Sequence, residues 1–404
     1  MNIPDNINIK DYYYDLPENR IAKYPLKQRD SSKLLYYRNG DIDSCKFSDL
    51  PALLNNGHHL IFNDTKVIMA RLQFRKETGA EIEIFLLEPY SPGDYQHAFN
   101  ERKKTVWKCL VGNAKKWKSG SLIKNIILKD TEFVLKAYAI DSKDAYRLIL
   151  FEWNNSNISF SDIINFAGRT PIPPYLNREA ETIDKERYQT IYSNYEGSVA
   201  APTAGLHFTT ELMKRISEAD IKYSKLTLHV GAGTFIPVKG ENALKHDMHI
   251  EHFYFPFSTI IELINSGRQI ISVGTTSVRA IETLYWLGVK LYQYPESNDP
   301  CFLKQFEWAE LDNKLTRKQS FEAILKYMER ENLNHLKAST KIMIIPGYKF
   351  MMTDGMITNF HQPYSTLLLL VAAFTGNDWK KIYSYALNNE YRFLSYGDSS
   401  LLIP

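Results

Sequence analysis

The chain has 404 residues, of which 44% are hydrophobic and 24% charged, and its formal net charge is +3. That length exceeds one ordinary hydrophobic core and predicts two domains. The composition excludes a disordered or fibrous chain, and a charge so close to balance gives no global mark of a nucleic-acid binder. Three cysteines, Cys45, Cys109 and Cys301, stand far apart without a CxxC pair, which argues against a disulfide scaffold and a zinc ribbon. Residues 1–16 lack the apolar core of a secretory signal. The longest apolar run, residues 367–374, is too short to cross a bilayer. A soluble, cytoplasmic protein without membrane contact is expected.

In chain order, an apolar stretch at 60–62 leads into Asn63, Asp64 and Thr65. Five short strand candidates then follow at 81–87, 105–111, 121–128, 132–140 and 146–153, punctuated by Gly, Pro, Asn or Asp and with no helix between them. They predict a small antiparallel barrel or sandwich. Within it, residues 101–118 carry Arg102, Lys103, Lys104, Lys108, Lys115, Lys116 and Lys118 against Glu101, interleaved with Trp107 and Trp117. Two readings stand side by side: a hairpin that follows a phosphate backbone and stacks on a base, or a solvated hairpin whose tryptophans face a core. On either side of these strands the pattern changes. Helices at 211–218, 258–266 and 277–287 alternate with apolar strands. The expected fold is therefore α/β, a discontinuous main domain of residues 1–68 and 155–404 with an antiparallel β-barrel domain inserted at 69–154. An amphipathic helical pattern at 318–331 marks an accessory insertion at about 288–341. A strand at 341–345 and a buried element at 366–374, helix or strand, complete the chain.

The chemistry-bearing segments are loops that no periodic element absorbs. Gly197-Ser-Val-Ala-Ala-Pro-Thr-Ala-Gly-Leu-His-Phe-Thr209 is followed by Thr227-Leu-His-Val-Gly-Ala-Gly-Thr-Phe235 and His246-Asp-Met-His-Ile-Glu-His252, which puts five of the ten histidines in one short span. Histidine exchanges protons near neutral pH and binds metals, so such clustering suggests an active site. As a strand, 248–255 places His249 and Glu251 on one face. That pairing suits acid/base work, with a structural His–Glu pair and a metal site using His246, His249 and Glu251 as competitors. The metal reading lacks the i, i+4 helical spacing and any nearby cysteine. In Gly274-Thr-Thr-Ser-Val-Arg279 an apolar strand opens into a helix whose free N–H groups suit an anion or a polar ligand edge, or are simply capped by Thr275 or Thr276. The pair Gly231 and Gly233 lacks the rest of a dinucleotide fingerprint. Thr358-Asn-Phe-His-Gln-Pro363 and Tyr391-Arg-Phe-Leu-Ser-Tyr-Gly-Asp398 again concentrate polar side chains in short loops.

These segments, together with Asp11-Tyr-Tyr-Tyr-Asp-Leu-Pro17, Ile21-Ala-Lys-Tyr-Pro25, Arg29-Asp-Ser-Ser-Lys-Leu34, Phe62-Asn-Asp-Thr-Lys-Val67 and Arg187-Tyr-Gln-Thr190, closely resemble the S-adenosylmethionine:tRNA ribosyltransferase-isomerase family of the queuosine pathway, over nearly the whole length. The chain departs from the family pattern in a longer segment at about 287–341 and in its last residues, 399–404. The resemblance implies an α/β domain interrupted by a β-barrel. It also implies transfer of the ribosyl part of S-adenosylmethionine to the 7-aminomethyl-7-deazaguanine base at the tRNA wobble position, with rearrangement of the sugar and loss of adenine and methionine. S-adenosylmethionine is then a co-substrate, no cofactor is tightly bound and no metal is needed. Partners are that tRNA and S-adenosylmethionine, for a monomer or homodimer.

A sulfonium acidifies its neighbouring hydrogens, adenine leaves with a proton or hydrogen bonds, and the attacking amine must be uncharged, so several proton-transfer groups are required. His207, His229, His249 and Glu251 are the candidates. Thr203, Gly231, Gly233, Thr234, Thr275, Thr276, Arg279 and His361 are the candidates for S-adenosylmethionine. Asn63, Asp64, Lys115, Lys116, Arg169, Arg178, Arg392, Tyr396 and Asp398 are the candidates for tRNA and its base. A tRNA-binding homologue without catalysis and a metal-dependent hydrolase built on the His246 cluster are the alternatives.

Overall fold

The computed structural model describes residues 2–404 apart from 77, 129, 130, 144, 145, 232, 234–237, 239, 298 and 313. Ten strands form the main sheet, in the order Phe302–Leu303, His335–Thr340, Glu251–Pro256, Lys222–His229, His58–Asn63, Gln269–Val273, Gly355–Asn359, Ser399–Ile403, Lys33–Arg38 and Asp41–Lys46. The four strands from Lys222–His229 to Gly355–Asn359 run parallel. A parallel sheet is covered on both faces, so such strands lose the alternation of half-exposed ones. His58–Asn63 is accordingly buried at every residue. Its side chains divide by period two: Ile61, with Ile270 and Met356 from its neighbours, enters one core, while Leu60 and Phe62, with Ile271 and Ile357, enter the other.

The direction of these strands sets where ligands can bind. Parallel strands leave their carboxyl ends at one edge, and crevices open there. Asn63, His229, Val273 and Asn359 are those ends. Ser399–Ile403 runs antiparallel to Gly355–Asn359 with Ser399 opposite Asn359, and Lys33–Arg38 runs parallel to Ser399–Ile403 with Leu34 opposite Ser399. The starts of these two strands therefore reach the same edge.

Helix Thr275–Gln293 leaves that edge and is buried from Thr275 to Leu291. Buried polar groups need partners, and the charged side chains and Thr283 along the helix make such ties. Glu282 accepts hydrogen bonds from the N–H groups of Met351 (2.9 Å), Met352 (2.9 Å) and Thr353 (2.8 Å) and from the Tyr348 hydroxyl (2.8 Å). Thr283 Oγ1 donates to Thr340 Oγ1 at 2.8 Å, and Lys290 Nζ donates to Phe302 O at 2.8 Å. At Gly288 an added Cβ would lie 2.1 Å from Ser320 Oγ, so helix Arg317–Arg330 packs directly onto the glycine. The segment expected at 288–341 as an accessory thus supplies two strands of the main sheet and a helix on its core.

A second sheet of seven antiparallel strands runs Gly168–Arg169, Arg71–Arg75, Glu81–Ser91, Lys104–Val111, Arg147–Trp153, Thr131–Ser142, Leu122–Leu128. It curls as a half-barrel, and Lys124 Nζ donates across to Gln73 O at 2.9 Å. Each of the five strands expected from the sequence has its counterpart here. Phe74, Trp107, Phe133, Phe151 and Phe160 fill its own core.

Two expectations are corrected, and two open choices are decided. Helix Tyr95–Asn100 lies between two of the strands, capped by Asp94, and its six residues are too short for a helical period to show. Trp107 and Trp117 are buried at 0% and 3% exposure, which removes them as base-stacking groups. The apolar run 341–345 is not a strand: the strand is His335–Thr340, residues 342–345 are buried, and the N–H groups of Lys341, Ile342 and Met343 are met by Leu303 O, Thr340 Oγ1 and Gln305 O. The undecided element at 366–374 is helix Thr366–Thr375, whose Ser365 cap accepts from Leu368 N at 3.1 Å. Among the described residues no helix is long and apolar enough to cross a membrane.

One ionic knot joins the connection before the loop at 197–209 to the C-terminal loop. Asp184, fully buried, takes both Arg178 Nη atoms at 2.7 Å, Glu181 N at 2.8 Å and the Tyr396 hydroxyl at 2.8 Å. Burial works to raise the Asp184 pKa, but these donors outweigh it and hold the carboxyl below its ordinary value.

Two outcomes are expected in urea unfolding. Glu282→Ala leaves the buried N–H groups of Met352 and Thr353, the half-buried one of Met351 and the Tyr348 hydroxyl without their acceptor and destabilises the chain by about 3 kcal/mol. Arg178→Ala leaves a buried carboxylate unpaired and costs about 3 kcal/mol or more at pH 7. Because a depressed carboxyl stabilises only above its unfolded pKa of about 4 and loses that contribution as pH falls through the folded value, the gap between Arg178→Ala and the parent chain should close in acid. A gap independent of pH would contradict this.

Candidate functional site

A cavity opens at the carboxyl edge of the parallel strands, with about 710 Å³ of empty space including its mouth. Four loops that the sequence singled out line it: Ala200 to Ala204, Val230, Gly274 to Thr276, and Thr358 to Gln362, joined by Tyr175, Leu394 and Ser395. Gly274 has φ +87°, a left-handed conformation that favours glycine, and no side chain caps the helix that follows. The plain-cap reading of Thr275 and Thr276 is thereby removed, and the first N–H groups of a 19-residue helix are left for a ligand. The Thr276 hydroxyl is buried without a partner among the described residues. His361, at the opposite wall, binds Thr358 Oγ1 through Nε2 at 2.9 Å. Burial pushes its pKa down to about 3, so the ring is neutral at ordinary pH.

Next to the Val230 wall stands the His249, Glu251 and Arg279 group. His249 Nε2 lies 3.1 Å from Glu251 Oε1, and Arg279 Nη1 donates to Glu251 Oε2 at 2.5 Å. Burial works to raise the Glu251 pKa, but the Arg279 charge and the His249 contact outweigh it and hold the carboxyl ionised. Arg279 Nε also binds Ile342 O at 3.2 Å, while its buried Nη2 has no partner among the described residues. Gly231 and Gly233 pack on the His249 ring; a Cβ on Gly233 would lie 2.5 Å from His249 Nδ1. The two glycines therefore seat the imidazole, and Thr234 lies outside the described residues. An imidazole backed by an ionised, fixed carboxylate can take and return a proton.

The other predicted histidines lie apart. His229, pushed down to about 3 by burial, binds Thr65 Oγ1 through Nδ1 at 3.0 Å and packs on Tyr95 at 4.5 Å between ring centres. It lines a separate cleft with Asp64, Asp94 and Thr227. Asp64 there accepts from Thr227 Oγ1 at 2.6 Å and has its pKa raised by burial. Asn63 is spent on structure: its side chain bonds both Leu228 O (2.9 Å) and Leu228 N (3.0 Å). His207 binds Ser32 Oγ through Nδ1 at 2.7 Å and lies 3.3 Å from Asn359 Nδ2 through Nε2. Among the described residues no group of three or more His, Cys, Asp or Glu side chains is arranged to hold a metal.

Of the residues proposed for tRNA, Arg392, Tyr396 and Asp398 come together, with Asp398 taking Lys33 N at 3.0 Å and Arg392 N at 2.8 Å. Arg178 is held by Asp184 as described above. Arg169 is exposed on an edge strand, 3.4 Å from Glu179, and Lys115 and Lys116 are exposed on the half-barrel's turn Ala114–Lys116. Sequence reading overlooked Arg29, Ser32 and Arg187, which surround His207. Their only signal was membership of the matched segments beginning at Arg29 and Arg187.

The sequence model of the queuosine biosynthesis protein family matches residues 9–402. The S-adenosylmethionine:tRNA ribosyltransferase-isomerase of Syntrophomonas wolfei is 37% identical, across 99% of this chain and 98% of its own. That of Acetivibrio thermocellus is 38% identical, across 98% of this chain and 100% of its own. The crystal structure of S-adenosylmethionine tRNA ribosyltransferase from Thermotoga maritima is similar over 97% of this chain and 99% of that one, at 26% identity and a TM-score of 0.46. With the family's model and these relatives matched from end to end, the chain belongs to the queuosine biosynthesis protein family, that of the S-adenosylmethionine:tRNA ribosyltransferase-isomerases.

Proposed function

We propose that this chain transfers and isomerises the ribosyl moiety of S-adenosylmethionine onto the 7-aminomethyl-7-deazaguanine base at the tRNA wobble position, releasing adenine and methionine. The observation that carries the reading is full-length identity of 37–38% to relatives of that name. The geometry supports it with a cavity whose polar walls come from the four matched loops. S-adenosylmethionine occupies that cavity as a co-substrate, against Thr203, the helix start at Thr275 and Thr276, and His361. Residues 69–154 act as a β-barrel domain inserted in the α/β domain of residues 1–68 and 155–404, a reading supported by their own apolar core. The enzyme works in the cytoplasm, where its tRNA is.

His249 with Glu251 is the proton-transfer pair, and Arg279 keeps the carboxylate charged so that the imidazole stays oriented. His207 contacts a cavity wall residue, Asn359, and acts through it. His229 with Asp64 belongs to the neighbouring cleft, on the tRNA side of the chemistry.

Incubation with S-adenosylmethionine and tRNA carrying the precursor base should release free adenine and give a nucleoside of increased mass. Binding of that tRNA with neither product would favour a homologue without catalysis, and stoichiometric metal in the purified protein would revive the hydrolase alternative. His249→Ala should lower kcat roughly 10² to 10⁴-fold with the fold retained, the usual size of a lost acid/base group. Near-normal turnover in both His249→Ala and His207→Ala would remove the proposed proton-transfer site.

A further inference from the structure

Beside the main cavity, and sharing Ser395 with it, lies a smaller pocket of about 290 Å³ of empty space including its mouth. Three guanidinium groups, Arg29, Arg187 and Arg392, line it, and no carboxylate does. Arg29 is held by carbonyl oxygens alone: Gln189 O at 2.6 Å, Glu186 O at 2.9 Å and Leu206 O at 3.3 Å. Arg187 binds Lys27 O at 3.2 Å and Leu26 O, and its Nε is buried without a partner among the described residues. Arg392 reaches Tyr24 O at 3.4 Å and stands 3.6 Å from Asp398 Oδ1. Carbonyls orient a guanidinium without cancelling its charge, so among the described residues Arg392 alone of the three has a carboxylate in reach, and Arg29 and Arg187 have none. Burial and the neighbouring Arg187 both push the Arg29 pKa down, a sign of positive charge left uncompensated. Ser32, His207, Ser395 and Tyr396 supply its other polar side chains.

We propose that Arg29, Arg187 and Arg392 form an anion pocket that holds one backbone phosphate of the RNA substrate next to the main cavity. This rests on the RNA-modifying reading above. Planar guanidinium forks match phosphate oxygens, and pre-oriented ones lose little entropy on binding. The methionyl carboxylate of S-adenosylmethionine is the other available anion. It carries an ammonium group with it, for which the pocket has no carboxylate, whereas a phosphodiester brings no cation. A fixed phosphate would set the register of the strand so that the neighbouring base enters the cavity.

The test is the affinity of an anticodon stem-loop RNA, measured by fluorescence anisotropy without S-adenosylmethionine across a range of KCl. Arg392→Ala should bind about tenfold more weakly at moderate salt. The slope of log affinity against log salt should fall by about 0.7 to 0.9, the loss of one phosphate contact. Arg392→Lys, which keeps the charge, should recover most of the slope. An unchanged affinity and slope in Arg392→Ala would overturn the proposal. So would a loss confined to the KM for S-adenosylmethionine, which would place the methionyl carboxylate in the pocket. Parent protein that binds no RNA at all would defeat the functional reading itself, while active parent protein with an indifferent Arg392→Ala defeats only the pocket.

Discussion

A helix buried along nearly its whole length is the constraint on which the rest of this structure depends. Thr275–Gln293 passes through the main core, and a helix so placed has no solvent in which to leave a charged side chain. Its charged residues are each met by another element. Glu282 takes the loop at 348–353, Arg279 takes Glu251, and Lys290 takes Phe302 O and Glu307. The polar ties that make the helix tolerable in the core are therefore the same ties that fix its start beneath the cavity. The geometry of the His249–Glu251 pair and the stability of the fold are not separable here, since Arg279 belongs to both.

Strand direction supplies the second constraint. Residues as distant in sequence as Ser32, Thr203, Thr275, His361 and Arg392 meet because parallel strands end at one edge and the last strand starts there. Two cavities follow, one lined mainly by hydroxyl, imidazole and apolar groups and one by guanidinium groups, with Ser395 common to both. That division matches a substrate pair in which one partner is a small sulfonium and the other a polyanion.

The half-barrel strands were legible because antiparallel strands with one buried face alternate, and because turn residues separate them. The helices of the main domain were legible from their period, and the buried run at 341–345 was misread because apolar β-branched residues mark burial as readily as pairing. At the site, the loops were legible as loops and their convergence was not. Five histidines lie close in sequence, yet His207, His229 and His249 end against Ser32, Thr65 and Glu251 in three different surroundings. Each follows a different element, and sequence proximity carries no information about which side of a sheet a loop descends. Of the arginine pocket only Arg392 stood out as a candidate; its convergence with Arg29 and Arg187 left no local trace, because the three come from separate stretches of chain.

The grip of Glu282 on three successive backbone N–H groups changes the standing of the segment that it holds. Met351, Met352 and Thr353 belong to no helix or strand, and loops ordinarily open and exchange their amide hydrogens long before a core does. Here the acceptor is a carboxyl group on a helix buried from Thr275 to Leu291, which ties these amides to the core. A stretch irregular in shape is thus expected to exchange its amide hydrogens with the core rather than with the loops.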